Sequence, residues 1–515
     1  MYNVRVLQEI DDRLDAEYYN PAALSTLKKM ETKGKVTTFG NLVDEGYRVV
    51  YHGTDSINGL KNSEVLPFLS PTQIDANGSI NFEDTDKLPL YYKDQYPKGL
   101  GKAGEILVEV KGNVSKVGIV PSAFPKNLMI SGSLYKATLD PKRVDSHYLL
   151  AFLKSKHGQI LKNRLTSNTI INYIAKDALY SIPVIEFKEK AQKYIGDKVR
   201  QAEKLRAWAK RLEVRLALLE NQIPISKHVV REAKHSKATL SYLTENRLDA
   251  RYYANKHLDL YAQFTDDFES LGSICSKFKY GASIAANYVN TDGLPFIRGN
   301  ALSPNRINKD DIVYLNRSLE DEGNNYCIEE DDILITRSGT VGVAAHVTSE
   351  YAKYWYGSFI IKCTLSNKLY LPAYVSWYLN SWVGQQQFRR LENGAVQLNI
   401  NIEELSSIAI WKASQEFQNE IQQLLFEQIS AVNLSKLLAN TAKTLVEALI
   451  EGQLTEQQLI QAQQALEDGD NSLDQAILSK LSAEGYAIEG ATPLFSDVDE
   501  LYSLLEEAAQ AEAEE

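Results

Sequence analysis

The chain repeats itself, and no other feature limits its architecture as much. Arg13-Leu14-Asp15-Ala16-Glu17-Tyr18-Tyr19 returns as Arg247-Leu248-Asp249-Ala250-Arg251-Tyr252-Tyr253. Leu66-Pro67-Phe68-Leu69 returns as Leu294-Pro295-Phe296-Ile297, and Glu105-Ile106-Leu107-Val108 as Asp332-Ile333-Leu334-Ile335. Gly132-Ser133 answers Gly357-Ser358, and Ser181-Ile182-Pro183-Val184 answers Ser407-Ile408-Ala409-Ile410. The offset stays between 225 and 234 throughout, so one folding unit has been used twice.

Each copy ends in a long amphipathic segment. Over 186–223, Ile195, Ala202, Ala209, Leu216 and Ile223 recur every seven residues, with Leu205, Leu212 and Leu219 as a second series. The alternating spacing of three and four is the apolar seam of a coiled coil. Gly196 alone interrupts it, and Pro224 stops it, because proline cannot donate the helical hydrogen bond. At about 1.5 Å per residue the expected rod is roughly 57 Å long. Over 414–451, Leu434, Leu438, Thr441, Leu445 and Ala448 repeat the pattern and supply a partner. The expected pairing residues are Leu205, Leu212, Leu216, Leu219, Leu434, Leu438 and Leu445.

Between the helices, short β-rich runs (105–110, 332–336) mix with amphipathic helices (147–154, 372–380) and many Gly, Asn, Asp and Pro turns. The fold class is α+β. The expected plan is a first globular domain at 1–185, a central helix at 186–224, a linker at 225–241, a second globular domain at 242–411 and a distal helix at 412–454. An acidic tail at 455–515 follows, read as short helices at 455–467, 472–484 and 498–509. If the helices pair antiparallel, they hold two similar domains apart by more than the ~34 Å repeat of B-DNA, which suits a split target with an unread spacer.

The net charge of −11 is misleading when read whole. Residues 451–515 hold 16 acids against Lys480 alone, so the body before them carries about +4. A mildly basic body leaves nucleic-acid binding open. The tail is expected to hold a partner or to restrain non-specific DNA binding. No apolar run approaches the ~20 residues of a membrane span. The first residues lack a basic, apolar signal segment, and the expected compartment is the cytoplasm. Cys275, Cys327 and Cys363 are odd in number and widely spaced, which argues for free thiols rather than zinc or a disulfide framework.

The search for catalytic chemistry finds one candidate. Glu109-Val110-Lys111 has the form of half a metal-dependent nuclease site, in which carboxylates hold Mg²⁺ and lysine stabilises developing charge. The second copy has Thr336-Arg337-Ser338 there, which cannot hold a metal in that way. There is no GxxxxGK[ST] phosphate loop and no HExxH, and only seven histidines in all. Gly339-Thr340-Val341-Gly342 reads as a tight strand-to-strand turn, since no helix start or basic residue follows it. Neither a cofactor nor a resident metal is called for.

The RLDAxYY openings, the LPF[LI] blocks, Tyr280-Gly281-Ala282-Ser283 and the run from Asp332 to Gly342, with the duplicated helices, resemble the specificity subunit of type I restriction–modification systems. The resemblance covers roughly residues 5–455, and Gly112-Asn113-Val114-Ser115-Lys116-Val117-Gly118 is a looser version of the second glycine block. It implies a non-catalytic DNA-recognition subunit in defence against foreign DNA. Each of two target-recognition domains would read half of a bipartite double-stranded sequence. The helices would act as ruler and dock two modification methyltransferase subunits, with restriction/translocase subunits joining the complex. The rival reading is a coiled-coil interaction scaffold that does not bind DNA.

Bases are read by Arg, Lys, Asn and Gln, while other cations sit on phosphates. Candidate DNA contacts are Arg48, Lys61, Lys111, Lys116 and Lys126 in the first copy. In the second they are Lys277, Lys279, Arg298, Asn300, Arg306, Arg337 and Ser338, in Gly/Asn-rich loops or at strand ends. For each alone, a solvated surface charge is the competing explanation. The paired tyrosines of RLDAxYY read as packing near a turn, with Asp15 and Asp249 as local acceptors. Trp208 serves either as a partner anchor or as packing within the helix pair.

Overall fold

A computed structural model of the chain describes residues 17–166, 172–229, 231, 235–240, 243–244, 247–284, 287–290, 292–322, 326–394 and 397–513. The first RLDAxYY block is described only from Glu17 onward, so Arg13 and Asp15 lie outside the described residues.

The chain forms two compact units, Met1–Trp208 with Ala431–Glu515, and Ala209–Ser430. The helices Glu189–Leu219 and Gln415–Glu451 each contribute to both units. The early half of one shares a unit with the late half of the other, as an antiparallel pair requires. In the second unit an ion pair joins them, Arg215 Nη2 to Glu420 Oε1 at 2.7 Å. The central helix is shorter than the seam implies. It gives way to a 3-10 turn at Glu220–Gln222, ahead of Pro224, and spans about 46 Å by its rise. Gly196 does not break it. A Cβ there would lie 2.6 Å from Asp145 Oδ1, so the glycine admits the Asp145–Arg200 ion pair. The distal helix stops at Gly452, whose φ of +78° turns the chain out of the helix.

The duplication is visible bond by bond. In the first unit one sheet runs in the order Val43–Tyr47, Leu134–Leu139, Ile106–Glu109, Val117–Ile119. In the second unit Cys275–Tyr280, Ile360–Leu365, Asp332–Thr336 and Ala344–His346 follow the same antiparallel order. A bulge shifts the register of the first strand at the same place, after Val43 and after Cys275. Each unit also has a parallel pair (Val65–Leu69 with Met129–Ile130; Leu294–Ile297 with Trp355–Tyr356) and a short ladder that closes the domain onto its helix (Lys35–Thr38 with Pro183–Glu186; Phe268–Ser270 with Ala409–Trp411).

The strand-opening acid of each copy is the hub of a buried ion pair, Lys136 with Glu105 at 3.0 Å and Lys362 with Asp332 at 2.7 Å. Thr138 and Thr364 donate to the same carboxylates, as do the N–H groups of Lys102 and Glu329. A buried pair is tolerated only with its remaining hydrogen-bonding capacity filled, and both copies fill it alike.

Each domain is seated on helix ends by side chains that bond to backbone. Gln192 accepts from Asp145 N and donates to Phe187 O, while Gln418 accepts from Leu371 N and donates to Ala413 O. Glu447 accepts from Lys156 N at 2.6 Å and Glu220 from Trp382 N at 3.0 Å, each at the first residue of a domain helix (Lys156–Asn163, Trp382–Leu391).

The tail belongs to the first unit. It forms helices Glu456–Glu467, Ser472–Leu478 and Val498–Ala513, with a hairpin of Leu481–Ser482 and Gly485–Tyr486. The hairpin corrects the helix expected over 472–484, which ends at Leu478. Asp474, 1% exposed, meets Lys198 Nζ at 2.7 and 2.8 Å and accepts from the hydroxyls of Tyr194 and Tyr502. Lys190 binds Gln464 and Glu467, and Lys188 N donates to Glu456.

Candidate nucleic-acid interface

The same three backbone positions meet at one corner of each four-stranded sheet. Ile174 N donates to Val110 O, and Ile400 N to Arg337 O, both at 2.9 Å, which makes Val110 and Arg337 equivalents and places Tyr173 where the other copy has Asn399. Tyr47 pairs with Lys136 and Lys279 with Lys362, so Arg48 and Tyr280, each one residue further on, are equivalents as well. In the first unit Arg48 Nε donates to Gly132 O at 2.6 Å and its guanidinium lies 5.6 Å from the Tyr173 ring centre. A cleft of about 310 Å³ opens there, lined by Gly46, Tyr47, Arg48, Val50, Val110, Tyr135, Tyr173, Ile174 and Lys176. In the second unit Arg337 stacks on Tyr280 at 4.5 Å and donates from Nε and Nη2 to Asn399 Oδ1 at 3.2 and 3.1 Å.

The remaining candidates are scattered. Lys61, Lys111 and Lys126 are exposed, whereas Lys116 turns inward and donates from Nζ to Ile74 O at 2.7 Å. Lys277 and Asn300 are exposed. Lys279 lies over Tyr326 at 5.5 Å and Arg298 over Tyr288 at 5.6 Å. Arg306, on Arg306–Ile307, is half-buried, and Ser338 bridges to Asn399. Arg337 and Ser338 are brought together through Asn399; Lys61 and Lys126 stand in separate loops. Leu205, Leu212, Leu216, Leu219, Leu434, Leu438 and Leu445 are all buried, and Trp208 is half-buried. Tyr173 and Asn399 escaped sequence reasoning because neither is a cation; the register of the repeat is the signal that finds them.

Glu109 holds the loop that follows its strand. Its carboxylate accepts from the N–H groups of Asn113, Ser115 and Lys116 at 3.1, 2.9 and 3.1 Å. Thr336 performs the equivalent task through Oγ1, accepting from Val343 N at 2.9 Å. The Glu109-Val110-Lys111 run is therefore a turn clamp, with Lys111 pointing to solvent. Glu109→Ala would leave three N–H groups without their acceptor, and we expect a loss of about 2 kcal/mol or more. Faster hydrogen exchange over 112–117 would report it. Among the described residues no group of three or more His, Cys, Asp or Glu is placed to hold a metal.

The tyrosine pairs are packing elements. Tyr18 with Tyr19 and Tyr252 with Tyr253 meet edge to face at 5.1 and 5.0 Å. Arg164 covers Tyr18 as Arg390 covers Tyr252, at 4.6 and 4.1 Å. Asp249 accepts locally from Arg247 Nε and Tyr252 N.

Residues 266–442 match the family described as Type I restriction modification DNA specificity domain. The match falls on the second copy, whose sheet order, bulge and buried ion pair the first copy reproduces. The second copy therefore carries a type I restriction modification DNA specificity domain. The chain is similar to a type I restriction–modification S subunit from M. genitalium, at 14% identity over 81% of this chain and 94% of that one, with a TM-score of 0.40. It is also similar to the HsdS subunit from Thermoanaerobacter tengcongensis, at 13% identity over 82% and 97%, with a TM-score of 0.27. No curated protein matches. No helix among the described residues is long and apolar enough to cross a membrane.

Proposed function

We propose that this chain is a non-catalytic specificity subunit of a type I restriction–modification system and reads a bipartite double-stranded DNA sequence, one half-site through domain 1–185 and the other through domain 242–411. The observation that supports this most directly is one scaffold carrying two different surfaces. The hydrogen-bond plan repeats from Phe39 N–Ile182 O to Leu271 N–Ile408 O, while the polar residues at the sheet corner differ. A shared frame with unlike contact residues is what two unlike half-sites need. Arg48, Lys61, Lys111, Lys126, Lys277, Asn300, Arg306, Arg337 and Ser338 are the residues we assign to the DNA face, with half-buried Lys279 and Arg298 beside them. Lys116 is the weakest of the original set, because its ammonium is already bonded.

The helices 186–224 and 412–454 serve as ruler and as docking surface for two modification methyltransferase subunits, with restriction/translocase subunits completing the complex in the cytoplasm. Exposed apolar side chains on these helices support protein docking: Val214 and Leu218, one turn apart, are 51% and 62% exposed, and Phe426 is 58% exposed. Apolar groups so exposed on long helices mark a surface that another protein covers.

Methylome sequencing of cells carrying this chain with its neighbouring methyltransferase should reveal a modified motif split by a fixed unread spacer. Replacing 1–185 with a homologous domain should change one half of the motif, and inserting a heptad near Leu212 should alter the spacer. A change in both halves, or an unaltered spacer, would overturn the modular reading. An assembled complex that produces no motif would favour the scaffold.

A further inference from the structure

The two sheet corners hold a guanidinium on a tyrosine face in both copies, but the residues have changed places. At the position ending the first strand stand Arg48 and Tyr280. After the third strand of the sheet order stand Val110 and Arg337, and on the returning segment Tyr173 and Asn399. The first copy thus sets the Arg48 guanidinium 5.6 Å from the Tyr173 ring centre, and the second sets that of Arg337 4.5 Å from the Tyr280 ring centre. Inheritance from one ancestral unit would leave arginine and tyrosine at matching positions. Retention of the pair with its members relocated indicates that the pair itself is what each corner requires.

Cation–π contact and hydrogen bonding anchor both guanidinium groups in advance. Arg48 is anchored through Nε alone, and among the described residues its two terminal nitrogens have no hydrogen-bond partner. Arg337 is anchored through Nε and Nη2, and among the described residues its other terminal nitrogen has no hydrogen-bond partner. A planar fork held in this way loses little rotamer freedom on binding, which distinguishes it from a flexible surface lysine. Two parallel N–H donors match the O6 and N7 acceptors on the major-groove edge of guanine. The stacked tyrosine raises the cost of moving the fork aside for another base.

We infer that the Arg48–Tyr173 and Arg337–Tyr280 corners are base-reading sites, each selecting a G·C pair, one in each half of the target. The inference rests on the bipartite reading above and adds to it the residues and the base. The difference in anchoring gives the two corners different reach. Arg48 presents both terminal nitrogens and makes a two-pronged contact, whereas Arg337 presents one and shares recognition with Asn399.

The test uses the full chain with its methyltransferase, comparing the methylated motif for wild type, Arg48→Ala, Arg48→Lys, Arg337→Ala and Arg337→Lys. Each alanine variant should relax one position in one half-site, with selectivity for G·C falling about 10-fold or more and the other half-site unchanged. Lysine keeps the charge but loses the fork, so it should behave like alanine. Equal weakening on all sequences, with a shallower salt dependence and an intact motif, would make these residues phosphate contacts and overturn the inference. So would restoration by lysine. Circular dichroism and assembly with the methyltransferase identify any variant that fails to fold. For such a position, Tyr173→Leu or Tyr280→Leu, which leaves the arginine in place, should relax the same base pair, and an unchanged motif would overturn the inference. A wild-type complex without a split motif would refute bipartite recognition itself, a result distinct from a split motif that ignores both arginines.

Discussion

Replacing Asp474 with alanine should destabilise the first unit by about 3–5 kcal/mol, because it leaves the Lys198 ammonium buried without its counter-charge. Both side chains are 1% exposed, and Tyr194 and Tyr502 lose their acceptor at the same time. Burial alone would raise the Asp474 carboxyl. The charge and hydrogen bond of Lys198, with the two tyrosine hydroxyls, outweigh burial and hold it below the ordinary carboxylate range. A carboxylate depressed in this way stabilises the fold above its unfolded value, 3.8, and that contribution is lost as the pH falls through the lower folded value. Urea unfolding followed by hydrogen exchange at 190–200 should show the loss in Asp474→Ala. The double variant Asp474→Leu, Lys198→Met should recover the part due to the orphaned charge, though not the part due to the two tyrosine hydroxyls. Equal stability of wild type and Asp474→Ala would mean that the tail does not brace the central helix.

Replacing Lys162 with methionine should have the opposite sign. The ammonium is fully buried in the helix Lys156–Asn163 and donates to Val114 O. Burial first, and the nearby Lys154 charge second, push it down to about 8 from the ordinary 10.5. The second copy has Phe388 at this position, packed against Gly342. A shift of that size corresponds to about 3 kcal/mol of penalty for keeping the proton at pH 7. After the loss of one hydrogen bond, the net gain on substitution should be about 2 kcal/mol. The unfolded chain binds this proton more tightly than the folded one, so wild-type stability rises with pH between about 8 and 10.5. The advantage of Lys162→Met should therefore be full below pH 8, shrink as the pH rises and reverse by about the one lost hydrogen bond above about 10.5. A pH-independent difference in urea midpoints would show that packing, not charge, controls the site.

The architecture was readable from the sequence because repeated blocks and heptads are local patterns that survive divergence. Glu105 and Asp332 opened matching strands, and both proved to be hubs of the same buried ion pair. The sheet corners were only half readable. Arg48 and Arg337 stood out as cations at strand ends, yet their equivalence to Tyr280 and Val110 follows only from strand register, which depends on the bulges after Val43 and Cys275. Asp474 was hidden among the acids of the tail, since its partners Tyr194 and Lys198 lie nearly three hundred residues earlier and nothing in its own neighbourhood marks it. The extra turn expected of the central helix was lost because Pro224 imposes its limits on the residues before it as well as at its own position.

The bonds that seat each domain have a consequence for how such chains diversify. Glu447, Glu220, Gln192 and Gln418 all grip main-chain groups, which every residue except proline offers in the same form. A seat that reads backbone is blind to the identity of the side chains it holds. Exchange of one domain for a distant homologue then needs the chain to enter the helix at Lys156 or Trp382 along the same path, and the few side-chain partners of the helices, such as Asp145 for Arg200, to be kept or lost together. A whole domain can then be traded with few matching changes in the helices that carry it.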